Sequence, residues 1–176
     1  MATIEVFFDA ASESRIRELW SQFALFGSPF MRDSGVRPHI TLFACDSVDV
    51  TAVSSMLDRI AATTSAFQVS LASFGLFPAP LPVAFLAAKV TWDFLELHRR
   101  LFVECSALAT GCNPLYSPEQ WIPHCTLAPE LPPQHLQLAL GACRDFGLPF
   151  PCLVSEIGLV EYWPCRQLYA KPLRAD

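Results

Sequence analysis

The sequence has no run of apolar residues that could cross a membrane, although 52% of its 176 residues are hydrophobic. A membrane-spanning helix needs roughly 18 or more consecutive apolar residues. Residues 1–6 also lack the basic start, apolar stretch and small-residue cleavage site of a secretory signal. We therefore expect an intracellular protein, cytoplasmic or nuclear, with no membrane partner.

Positive charge is also scarce along the chain. Lysine occurs twice, as Lys89 and Lys171, and the ten arginines form no run longer than Arg99-Arg100. The formal net charge at pH 7 is −5. Proteins that bind long duplex nucleic acid depend on a basic surface that displaces counterions. This composition argues against a long duplex as a partner, so any nucleic-acid substrate should be short or held at one end.

The seven cysteines form no Cys-x-x-Cys pair, and their number is odd. A disulfide framework usually shows an even set of cysteines in a short secreted chain, and structural zinc sites usually show local pairs. We therefore expect reduced thiols that are mostly buried.

The order of predicted elements is repeated along the chain. Hydrophobic periodicity and turn residues divide each half into strand, helix, strand, helix and strand, and a proline cluster at 78–82 separates the halves. The pattern predicts an α+β fold in a single domain over residues 1–176. We expect two pseudo-symmetric lobes, approximately 1–80 and 81–176, each an antiparallel sheet flanked by helices.

Two matching segments occupy the second predicted strand of each half. They read Pro-His-Ile-Thr-Leu at 38–42 and Pro-His-Cys-Thr-Leu at 123–127 and differ at one position. Side chains at i and i+2 of a strand share a face. One histidine and one threonine of each segment therefore share a face: His39 with Thr41, and His124 with Thr126.

These residue types suit the cleavage of a phosphodiester. One group must take a proton from the attacking oxygen and another must give a proton to the leaving oxygen, and histidine can do either near neutral pH. Threonine hydroxyls can hold the non-bridging oxygens of the phosphate between the two imidazoles. The scheme needs neither a metal nor another cofactor. The repeat makes the two histidines interchangeable at this stage.

The paired motifs resemble the repeated His-x-Thr/Ser signature of the two-histidine (2H) phosphoesterases. That family includes bacterial and archaeal RNA 2′,5′-ligase-like proteins, plant cyclic nucleotide phosphodiesterases and 2′,5′-oligoadenylate phosphodiesterases. The resemblance implies a bilobal fold in which the four motif side chains face one another across a groove. It also implies a metal-independent phosphodiesterase, and family members usually open a 2′,3′-cyclic phosphate to the 2′-phosphate. We expect a monomer acting on nucleoside 2′,3′-cyclic phosphates or short RNA ends.

Four further residues are candidates for substrate binding. Strand parity places Arg37 and Phe43 on the face of the first motif, where Arg37 could meet a phosphate and Phe43 could stack on a base. The alternatives are a solvated strand end for Arg37 and an ordinary core position for Phe43. Tyr116 and Trp163 lie in loops and are further candidates for base stacking.

Other functions remain open at this stage. A 2′,5′-oligoadenylate phosphodiesterase would use the same acid and base, and a non-catalytic nucleotide-binding module could share the fold. A metal site built from His39 and His124 with Cys45 or Cys125 is a third alternative. Neither motif offers a local pair of ligands at the usual zinc spacing, and insensitivity to a chelator would exclude this site.

Overall fold

The computed structural model describes residues 1–175 and is built around a seven-stranded antiparallel sheet. Its strands are β1 (Ala2–Phe8), β2 (His39–Cys45), β4 (Phe67–Phe77), β5 (Val83–Ala88), β7 (His124–Ala128), β8 (Phe150–Glu161) and β9 (Arg166–Pro172). Two short strands, β3 (Ser47–Val48) and β6 (Ala109–Thr110), pair separately. The helices are α1 (Ala10–Leu25), α2 (Phe30–Asp33), α3 (Val50–Thr63), α4 (Trp92–Ser106) and α5 (Leu136–Phe146).

The order of strands in the sheet is β2-β1-β8-β4-β5-β7. Strand β8 joins the two arms because it is twelve residues long. One edge of β8 pairs with β1, while the other pairs first with β4 and then with β9. The two end strands of this order, β2 and β7, also contact each other. The sheet therefore curves so that the strands carrying the two motifs come together.

The predicted α+β fold of antiparallel strands flanked by helices is confirmed, and the sheets expected for the two lobes are joined into one. Strands β8 and β9 from the second half of the chain lie in the arm of β1 and β2. The arms nevertheless correspond strand for strand, since β2, β1 and β8 match β7, β5 and β4 in order. The expected boundary between halves at 80/81 falls in the connection between β4 and β5, which pair with each other in the arm of β7.

Helices from both halves of the chain cover each arm of the sheet. Helices α3 and α4 pack on the arm of β2, β8 and β9, whereas α1 and α5 contact each other beside β7. The side chains of Asp9, Asp49 and Thr91 cap the amino termini of α1, α3 and α4 by accepting backbone N–H groups. None of the helices within residues 1–175 combines the length and apolarity of a membrane-spanning segment.

The strands β2 and β7 are anchored from behind by the core. Ile40 and Leu42 of β2 and Cys125 and Leu127 of β7 have no exposed surface. The histidine and threonine of each motif alternate with these residues and therefore point to the opposite face. This alternation, which the sequence predicts, fixes the direction of the motif side chains.

Candidate active site

A cavity of about 180 Å³ lies where β2 and β7 meet. Its walls include all four residues of the predicted motifs, which are His39, Thr41, His124 and Thr126. Two strands far apart in sequence thus bring the two His-x-Thr pairs into one small space. The side chains can act on a single bound group.

Both histidine rings are held in the same way. The Nδ1 atom of His39 lies 2.7 Å from the carbonyl oxygen of Arg37, and that of His124 lies 2.6 Å from the carbonyl oxygen of Ile122. A carbonyl oxygen only accepts, so Nδ1 carries the hydrogen in each ring and donates it. The Nε2 atom of each ring remains free to take or give a proton.

Two tryptophans fix the backbone of the motifs in matching ways. The indole N–H of Trp121 donates to the carbonyl oxygen of Thr41 at 2.9 Å, and that of Trp20 donates to the carbonyl oxygen of Thr126 at 2.9 Å. Both indoles are buried. A buried carbonyl needs a hydrogen-bond partner, so each tryptophan supports one motif strand. The sequence alone gives no sign of these two hydrogen bonds.

The ring of His124 lies against apolar side chains. Its ring centroid lies 4.9 Å from that of Phe77 and 5.2 Å from that of Phe85. Burial lowers the pKa of His124 below the usual value for histidine, and the charge of His39 lowers it further. His124 is therefore neutral at neutral pH and has a free Nε2 that can accept a proton.

Tyr116 lines the cavity and comes from the turn after α4. Burial raises the pKa of its phenol, and the charge of Glu5 raises it further. His98 anchors this turn, because its Nε2 lies 3.1 Å from the carbonyl oxygen of Tyr116. The ring of His98 in turn stacks on Trp121 with a centroid distance of 3.8 Å. The backbone of Tyr116 is thus anchored to α4 through His98.

Glu5 is a residue of the cavity that the sequence analysis missed. Its side chain is 1% exposed, and its Oε1 lies 3.6 Å from the Nε2 atom of His39. The hydroxyls of Thr3 and Tyr162 donate to the same oxygen at 2.7 and 2.9 Å. A single acidic residue inside the apolar strand at 2–8 was the signal that could have identified it, because an unpaired carboxylate is rarely buried.

Three of the predicted substrate-binding residues lie outside the cavity walls. Arg37 forms ion pairs with Glu13 and Glu156, so its charge is directed to those carboxylates and not to the motif histidines. Phe43 is 0% exposed and packs edge-on against Phe102 at 5.6 Å. The expectation that Phe43 stacks on a base is therefore wrong, because its ring belongs to the core.

Trp163 lies beside the cavity without lining it. Its side chain is 72% exposed and its ring centroid is 5.5 Å from that of Phe30, which does line the cavity. Its backbone φ of 34° is in the left-handed region, which a large side chain rarely adopts. The surrounding turn thus holds an exposed indole at the rim in a strained conformation.

Residues 1–175 contain no group of three histidine, cysteine or acidic side chains arranged to hold a metal ion. Cys125, which was considered as a ligand beside His124, is fully buried on the opposite face of β7. Burial also raises the pKa of its thiol. The seven cysteines are free thiols, and five of them are buried.

Several solved structures share this fold over nearly the whole chain. The crystal structure of TT0787 from Thermus thermophilus matches with a TM-score of 0.66 and 19% sequence identity, covering 99% of this chain and 98% of that one. The crystal structure of Escherichia coli LigT complexed with NADP⁺ matches with a TM-score of 0.57 and 17% identity, covering 98% and 96% of the two chains. LigT complexed with 3′-AMP matches with a TM-score of 0.56 at 17% identity, covering 98% and 94%.

Comparison with sequences agrees with the comparison of structures. No curated protein matches the sequence. The family model of the 2′-5′ RNA ligase superfamily, however, matches residues 8–163, a span that contains both His-x-Thr motifs. The chain therefore belongs to the 2′-5′ RNA ligase superfamily, which is a family of 2H phosphoesterases.

Proposed function

We propose that the protein is a metal-independent phosphodiesterase that hydrolyses the 2′,3′-cyclic phosphates of nucleosides or short RNA ends, with the 2′-phosphate as product. The observation that carries this proposal is the pair of histidines in one cavity, each with Nδ1 bound to a carbonyl oxygen and Nε2 left free. General acid and base catalysis requires such a pair of groups within reach of one phosphorus.

The chemistry needs only the four motif side chains and water. One neutral imidazole accepts a proton from water through Nε2 as the water oxygen forms a bond to phosphorus. The other imidazole donates a proton from Nε2 to the ribose oxygen as the bond between that oxygen and phosphorus breaks. The hydroxyls of Thr41 and Thr126 donate hydrogen bonds to the non-bridging oxygens, where charge accumulates in the transition state.

The size and charge of the cavity favour a small substrate. A volume of about 180 Å³ is below the roughly 300–1,000 Å³ of most sites for drug-sized ligands. It suits a phosphate and part of a ribose, with the base outside. A cyclic phosphate carries one negative charge, whereas the opened monoester carries nearly two at pH 7. The buried carboxylate of Glu5 therefore disfavours the product more than the substrate and aids its release.

The base of the substrate would lie at the rim. There, the exposed indole of Trp163 and the ring of Phe30 offer an apolar surface for stacking, and Tyr116 extends the wall inside the cavity. LigT, which has a similar fold, has been crystallised with 3′-AMP, ATP and NADP⁺. These complexes support the proposal that the present protein acts on a nucleotide. Arg37 is occupied by two carboxylates and has no part in this proposal.

The proposal is tested by incubating the purified protein in EDTA with four substrates. These are the 2′,3′-cyclic phosphates of adenosine and uridine, and the 2′,5′- and 3′,5′-linked ApA dinucleotides, with chromatography of the products. We expect both cyclic phosphates to be opened to 2′-phosphates and both dinucleotides to stay uncleaved. Cleavage of 2′,5′-ApA would instead indicate a 2′,5′-oligoadenylate phosphodiesterase, and binding without turnover would indicate a nucleotide-binding module.

A further inference from the structure

The two motifs match closely, but the residues that lie opposite their threonines on the neighbouring strands are of different chemical types. Glu5 of β1 pairs with Thr41, and Phe85 of β5 pairs with Thr126. The register of each strand pair shifts immediately before these residues, between Ile4 and Glu5 and between residues 84 and 85. Glu5 and Phe85 thus occupy equivalent positions in the two arms, one with a carboxylate and the other with an aromatic ring.

The carboxylate of Glu5 is buried without full compensation. Its Oε1 accepts hydrogen bonds from Thr3 and Tyr162, whereas its Oε2 has no hydrogen-bond partner among the described residues. A buried charge is costly unless another charge balances it. The Nε2 atom of His39 lies 3.6 Å from Oε1, so positive charge on that ring is the nearest source of balance.

In the other arm of the sheet, the residues around His124 are apolar. Phe85 and Phe77 pack against His124, and Phe77 stacks on Phe85 with a centroid distance of 4.2 Å. Apolar rings disfavour charge on the imidazole that they contact. A carboxylate thus lies beside Nε2 of His39, whereas aromatic rings lie beside His124.

We infer that Glu5 is a positioning residue that makes His39 the general acid and His124 the general base. This inference rests on the proposed function and assigns the roles that the repeated motifs leave open. In the cyclic phosphate, Nε2 of His124 takes the proton of the attacking water. Nε2 of His39 gives its proton to the leaving ribose oxygen. Exchange with solvent then restores both rings.

Several other titratable groups face Glu5 and His39. Tyr116 comes from the turn after α4, Tyr162 follows β8, and Cys165 lies in the turn before β9; the pKa values of all three are raised by burial and by the charge of Glu5. Cys125 of β7 responds in the same direction. These phenols and thiols stay neutral at pH 7, and Glu5 is the carboxyl group that lies beside His39.

The leaving group provides the sharpest test of the two roles. A ribose oxygen needs a proton as it leaves, whereas nitrophenolate does not. We expect His39→Ala to lose at least about 100-fold in kcat on uridine 2′,3′-cyclic phosphate and far less on thymidine 3′-(4-nitrophenyl phosphate). His124→Ala should lose similar factors on both substrates. Equal losses for His39→Ala on both substrates, or the reverse pattern, would overturn the assignment.

The role of Glu5 is tested with Glu5→Gln, which keeps the shape and an acceptor oxygen. We expect the ratio of kcat on the cyclic phosphate to kcat on the nitrophenyl ester to fall about tenfold or more. The basic limb of the pH–rate profile should move to lower pH. Glu156→Gln is the matched control because it removes a carboxylate of similar charge outside the cavity, and it should leave this ratio near that of the wild type.

A measurement without turnover separates this inference from the proposed function. Nitrogen-15 NMR of the histidine rings at pH 7 should show less of the charged form of His39 in Glu5→Gln than in the wild type, with His124 neutral in both. An identical His39 ring in the two proteins would refute the role of Glu5 whether or not the protein is active. Absence of wild-type turnover with the expected NMR change would refute only the proposed function.

Discussion

The bond between Trp121 and the first motif strand can be tested by Trp121→Phe. The change keeps an aromatic ring but removes the indole N–H that donates to the carbonyl oxygen of Thr41. An acceptor left unsatisfied in a buried site costs about 1–3 kcal/mol. For a chain of 176 residues, each kcal/mol lowers Tm by about 2–4 °C, so the loss should be about 2–12 °C.

The assay is urea denaturation together with a thermal melt, and the matched control is Trp92→Phe. Trp92 is 87% exposed, so its substitution should change the free energy of unfolding by no more than about 0.5 kcal/mol. Trp20→Phe should resemble Trp121→Phe, because its indole holds the carbonyl of the second motif. If Trp121→Phe were as stable as Trp92→Phe, the tryptophan would not support the motif strand as described.

Two further predictions concern packing and pH. Gly75→Ala places a methyl group against the ring of Phe85, which contacts His124; we expect a loss of about 1–3 kcal/mol in stability and a lower kcat. Gly141→Ala has open space in a helix, so as a control it should stabilise by about 0.5–1 kcal/mol. Burial lowers the pKa of both His98 and His124, so the unfolded chain binds more protons once the pH falls below ~6.5. The free energy of unfolding should therefore decrease as the pH falls from 7.5 to 5.5. A His98→Gln variant whose free energy of unfolding depends on pH as steeply as that of the wild type would contradict this cause.

Short-range patterns in the sequence predicted much of the fold and the centre of the site. Alternation in β2 and β7 identified which motif side chains share a face, and the repeat identified two equivalent strands. Those features depend on residues close in sequence. The pairing of β8 with both arms depends on contacts across the whole chain, so periodicity could not reveal it.

Parity alone was a weak guide to the substrate-binding residues. It placed Phe43 with His39 and Thr41, yet the side of β2 at that position is covered by Phe102 of α4. The guanidinium of Arg37 forms ion pairs with Glu13 and Glu156, two residues distant in sequence, and so does not point to the motif histidines. Glu5 is an unusual acidic residue in an apolar strand, but its contact with His39 of the neighbouring strand β2 could not be predicted from that strand alone.

The central claim is that both histidines act on one phosphodiester, and the most direct test is turnover of adenosine 2′,3′-cyclic phosphate in EDTA. His39→Ala, His124→Ala and the double variant are compared with the wild type, and His135→Ala serves as a histidine control outside the cavity. Circular dichroism establishes that each variant is folded. We predict losses of at least about 100-fold for each single variant, little further loss in the double variant, and activity close to that of the wild type for His135→Ala. Near-normal turnover by either motif variant would contradict the account.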